Sequence, residues 1–88
     1  MGVIEDLADA LAKDALDAAE ALDDPNLVDD LSGVILAQSQ TLQEAFMTAV
    51  RVRKSEKAGR AYLIARVKAA KEGRKAPKAV TTDNPDVM

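Results

Sequence analysis

The stretch LVDDLSGVILAQSQTLQEAFMTAVRV, residues 27–52, decides the fold. Its positions Val28, Leu31, Ile35, Gln38, Leu42, Ala45, Ala49 and Val52 follow alternating steps of three and four, which bring side chains to one face of a helix. The seam runs for about three and a half heptads in the manner of a coiled coil. Leu27, Val34 and Phe46 widen it beyond a narrow strip. Gln38, flanked by Ser39, Gln40 and Thr41, interrupts it. A polar residue at a seam position sets register or oligomeric state at some cost in stability. The plainer reading is that Gln38 reaches water at a poorly covered spot. Gly33 costs roughly 1 kcal/mol against alanine in a helix, and a close helix approach would be one reason to keep it.

Upstream, Ile4, Leu7, Leu11, Ala15, Ala18 and Leu22 recur at steps of three or four, predicting a helix over 3–22. Ala8, Ala12, Leu16 and Ala19 broaden its apolar face, and Glu5, Asp6, Asp9, Asp17 and Glu20 supply the charged one. Asp23-Asp24-Pro25-Asn26 separates this helix from the seam. There Asp24 is placed to cap the next helix and Pro25 to begin it. So short a connection makes the two helices antiparallel neighbours. Downstream the pattern weakens from Arg53 to Arg60 and resumes with Leu63, Val67 and Ala70, beside Tyr62 and Ile64. Ser55 as a cap and Gly59 as a breaker predict a third helix over 58–72, separate or joined to the second by a kink. Gly73 and Pro77 supply its stop.

The fold class that follows is all-α: an antiparallel helical hairpin with a third C-terminal helix, or a kinked continuation of helix 2, in an oligomeric bundle. The expected helices are about 3–22, 26–55 and 58–72 in one small domain, 1–75. The tail 76–88 has no periodicity and is expected to be disordered. A first helix of about 30 Å covers the second only as far as residue 46 or so. Met47, Ala49, Val50 and Val52 would then need cover from elsewhere, and self-association is one source of it.

Charge is segregated along the chain. Residues 1–50 hold eleven acidic side chains and one basic, and residues 51–78 hold eleven basic and two acidic. The formal net charge of −3 conceals this division. Each half needs an opposite charge, and the more economical source is the other half, in the same chain or in a second copy. An alternative is a nucleic-acid-binding regulator whose basic segment 51–78 contacts phosphates through Arg53, Lys57, Arg60, Lys68, Lys71 and Lys75. A weaker third is an anionic membrane surface. The sequence pI of about 4.8 and the lone aromatic of the segment, Tyr62, weigh against both.

Catalysis is hard to build from this composition. There is no histidine and no cysteine, which removes the commonest general base, the reactive thiolate and the softer metal ligands. The four glycines stand isolated at 2, 33, 59 and 73, so no phosphate-cradling loop is present. No cofactor and no metal are expected. No apolar run approaches the ~20 residues of a membrane span, and a cytoplasmic location is the default expectation. The reading is therefore a non-catalytic helical interaction module, an adaptor, regulator or assembly subunit. Its expected partners are a second copy of itself and another protein. Its expected interface is Val28, Leu31, Ile35, Gln38, Leu42, Phe46, Val50 and Val52.

Overall fold

The computed structural model describes residues 2–74. The expectation for the tail 76–88 and the candidate phosphate contact Lys75 lie outside the described residues. Within them the chain is all-α: α1 (Val3–Leu22), α2 (Leu27–Gln38) and α3 (Gln40–Lys71). The chain forms two compact units, one ending at Glu56 and the other starting at Lys57. The helical hydrogen bonding of α3 continues across that boundary.

Helix α1 begins after an extended Gly2, and Glu5 and Asp6 in its first turn complement the positive end of the helix dipole. It ends in a Schellman turn. Asp23 adopts a left-handed conformation (φ 51°, ψ 47°), its N–H donates to the Glu20 carbonyl, and the Asp24 N–H donates to the Ala19 carbonyl. Glycine is usual there, but aspartate is among the residues that tolerate it. The Asp24 carboxylate then accepts the Asn26 N–H at 3.0 Å, closing an Asx turn. Pro25, expected to begin α2 behind a cap at Asp24, instead lies within that turn, and α2 begins at Leu27 behind Asn26, which makes no side-chain cap bond.

Two further helix boundaries differ from the sequence-based expectation. The helix expected over 26–55 is broken at Ser39, which is extended (φ −158°, ψ 112°). Ser39 stops one helix and starts the next. Its N–H donates to the Ile35 carbonyl at 2.7 Å, its Oγ accepts the Leu42 N–H at 3.1 Å, and its carbonyl accepts the Gln43 N–H at 3.1 Å. Serine competes well for backbone groups and prefers caps to helix interiors. The polar run Gln38–Thr41 is thus a boundary rather than a flaw in a seam. Conversely, the break expected at 55–59 is absent, because α3 passes through Ser55 and Gly59 unbroken. An isolated glycine costs a helix only about 1 kcal/mol, which one residue in a 32-residue helix absorbs.

The corner at Ser39 is sharp. Ser32 Oγ accepts a hydrogen bond from Gln43 Nε2 at 2.9 Å. In one straight helix those residues would be separated by eleven rises of 1.5 Å, roughly 16 Å, too far for the two side chains to meet. The bond also satisfies Ser32, the one buried polar residue among the described residues.

This fold-back builds the core of the first unit. Ala8, Ala12 and Ala15 of α1 meet Ile35 of α2 and Phe46 and Val50 of α3. Phe46 is fully buried at 0% exposure and is the largest side chain so enclosed. The alanines explain how: lacking bulk, they leave room beside α1 for a ring. The face of α1 turned inward is therefore the small one, flanked by Leu11 and Leu16, rather than the leucine-marked line Ile4, Leu7 and Leu22, which is exposed. Gly33 marks no close approach, since a Cβ there would meet nothing within 4 Å.

Helix α3 ends after Lys71 at a second Schellman turn. Gly73 takes φ 71°, its N–H reaches the Ala70 carbonyl, and the Arg74 N–H donates to the Ala69 carbonyl at 2.8 Å. The stop expected at Gly73 is the one observed.

Candidate interaction surface

The residues expected to form a partner interface mostly face the chain's own interior. Ile35, Phe46 and Val50 are buried, and Val28, Leu31 and Leu42 are half-buried and packed against them. Gln38, at the end of α2, and Val52 are exposed. The reason is the corner at Ser39, which lets one half of the seam pack toward the other. Met47 and Ala49, expected to lie beyond cover, are likewise half-buried.

Val34, Leu36 and Val52 stay exposed within the seam stretch, and further apolar residues are left outside on α1 and on the second half of α3. In the first unit, Val3 and Leu7 are 73% and 59% exposed on the outer face of α1. They continue through Ala10 to Asp14 at helical steps of four, three and four, all exposed. Asp14 gives this stripe its charge and Asp6 borders it, with Lys13 on the Asp6 side paired to Asp17 at 3.0 Å. In the second unit, Leu63, Ile64 and Val67 are 57%, 60% and 45% exposed. They share one face of α3 with Arg60 and Lys71, and Lys68 borders it. About half a turn away on the same helix, Ala69 is buried and Tyr62 half-buried, its hydroxyl accepting a hydrogen bond from Arg66 at 3.0 Å. The open side of this segment is the aliphatic, cationic one.

Among the candidate phosphate contacts, Arg53 is committed inside the first unit. Its Nε and a terminal nitrogen donate to the two carboxylate oxygens of Asp9 at 2.7 and 2.8 Å. This bidentate geometry is the strong form of an ion pair. It holds the Asp9 carboxyl below its ordinary range, the hydrogen bond from Arg53 being the main cause, and it raises Arg53 in turn. One ion pair between the acidic and basic segments is thus made, at Asp9 and Arg53. Lys57 and Arg60 are exposed but carry interactions within the chain. Lys68 and Lys71 are exposed on the last turns of α3, where cations complement the helix dipole.

A shallow groove of about 400 Å³ opens beside the first interhelical turn, with Leu16, Val28, Met47 and Val50 in its wall and Asp24, Asp29, Arg51 and Lys54 among its polar residues. Among the described residues no group of three carboxylates is gathered closely enough to hold a metal ion. No described helix is long and apolar enough to cross a membrane. None of the family models, curated proteins or solved structures compared with the chain matches it.

Proposed function

We propose that this protein is a non-catalytic helical interaction module that associates with itself, working as an adaptor, regulator or assembly subunit. The observation that carries the reading is the group of large aliphatic side chains left in water on otherwise well-formed helices, above all Leu63, Ile64 and Val67. Single exposed apolar residues are ordinary on protein surfaces. Three adjoining on one helical face form a patch of the kind that marks an interaction site. The small core supports the same reading. Phe46 is its single aromatic and three alanines are among its six buried residues, so the chain gains little from its own interior and more from covering what lies outside.

Self-association is favoured over phosphate binding because Arg53 is held by Asp9 and because an acidic surface accompanies the basic one in the same chain. Sedimentation equilibrium at micromolar concentration tests the reading. The expected result is a mass above the 9.4 kDa of one chain. A single 9.4 kDa species up to hundreds of micromolar refutes it.

A further inference from the structure

From the matched spacing and opposite charge of two exposed stripes, we infer that the outer face of α1 in one copy receives the Leu63–Lys71 face of α3 from a second copy. This rests on the self-association reading and names the surfaces that carry it. The two stripes are Val3, Leu7, Ala10 and Asp14 on α1, and Arg60, Ile64, Val67 and Lys71 on α3. Both advance by four, three and four residues. Laid side by side, they bring two apolar positions against two apolar positions in the middle. The sequence of steps reads the same forwards and backwards, so this holds for either helix direction. With the helices parallel Asp14 meets Lys71; antiparallel it meets Arg60, which also carries an interaction within its own chain.

Charge selects the occupant. Paired with its own copy, the basic stripe sets cation against cation in either direction, and the acidic stripe paired parallel with its own copy sets Asp14 against Asp14; like charges across a helix interface are unfavourable. Pairing the acidic stripe with the basic one replaces both repulsions with attraction. Ala10 adds a shape argument, since a small residue between Leu7 and Asp14 leaves a hollow into which Ile64 or Val67 fits. Such a contact uses different surfaces on the two partners, so it is heterologous. Neither stripe draws on the residues that hold the first unit's core together.

The test uses two full-length variants, Leu7→Lys and Val67→Asp, each placing a charge where the opposing stripe repels it. Both positions are exposed, so circular dichroism should show unchanged helix content. Leu7→Gln and Val67→Gln repeat the comparison with a milder change. By sedimentation, each variant alone is expected to run as a 9.4 kDa chain where the wild type associates, and an equimolar mixture is expected to recover the complex through the intact stripe on each partner. Wild-type association with Leu7→Lys or Val67→Asp unaffected, or a mixture that stays monomeric, overturns the pairing while leaving self-association standing. A monomeric wild type removes the broader reading as well.

Discussion

Replacing Gly59 with alanine tests the continuity of α3 directly, because the sign of the effect depends on it. Gly59 lies in the interior of α3 with φ in the ordinary negative range, and a Cβ added there meets nothing within 4 Å. Alanine is therefore free to exert its intrinsic preference, about 1 kcal/mol over glycine at a helix interior. Had the helix ended at 55–59 with Gly59 in a left-handed turn, the same change would cost about 1–2 kcal/mol, the penalty of a side chain in that conformation. Amide hydrogen exchange gives a local reading of the difference. About 1 kcal/mol corresponds to a slowing of roughly fivefold for amides on either side of residue 59. Gly73→Ala is the control, since Gly73 does hold a left-handed φ of 71°. Alanine there should speed exchange in the last turn. Faster exchange around residue 59 in Gly59→Ala would refute the continuous helix.

Ser39→Ala removes the oxygen that accepts the Leu42 N–H and should cost about 1 kcal/mol, which shifts thermal unfolding of a chain this size down by about 4–8 °C. An unchanged midpoint would mean that the corner is held by other contacts. Phe46→Ala empties the centre of the first unit and should cost about 3–5 kcal/mol, enough to abolish a cooperative transition in so small a core; a transition kept within about 1 kcal/mol of wild type, by the denaturant midpoint, would place Phe46 at the surface. The Asp9 carboxyl should titrate below an ordinary aspartate near 3.9, because the charged form accepts two hydrogen bonds from Arg53. A depressed folded-state pKa stabilises the fold fully above the unfolded value and loses that contribution as pH falls through the folded one. NMR titration of the Asp9 carboxyl, compared with Arg53→Gln, checks both direction and cause: the substitution should return Asp9 toward its usual value.

The first helix, the turn after it and the stop at Gly73 were legible in residue order because each rests on local chemistry. Unbroken apolar periodicity drives α1, aspartates satisfy orphaned backbone groups near its end, and a glycine accepts the left-handed angle that ends α3. The all-α class follows from the same short-range preferences. The break at Ser39 was equally local but was masked by the regular seam around it. A heptad-like run of apolar residues fits one long helix facing a partner as well as two helices folded onto each other. Which of these occurs depends on whether a corner places Phe46 against alanines from a helix about thirty residues earlier, and no periodicity encodes that contact. Most of the interface residues expected from the seam are turned inward for the same reason, Gln38 and Val52 excepted.

Taken alone, the amino-acid order determined that this chain is helical, where its first helix ends, and that acid and base are kept apart along its length. Tertiary packing decided which apolar residues become interior and which are left over. Burial is a competition among all greasy side chains for a limited space, and the alanine face of α1 won it by admitting an aromatic ring that the leucine face would have excluded. Leu7 stays in water as a consequence of that outcome, not of any property visible in its own neighbours.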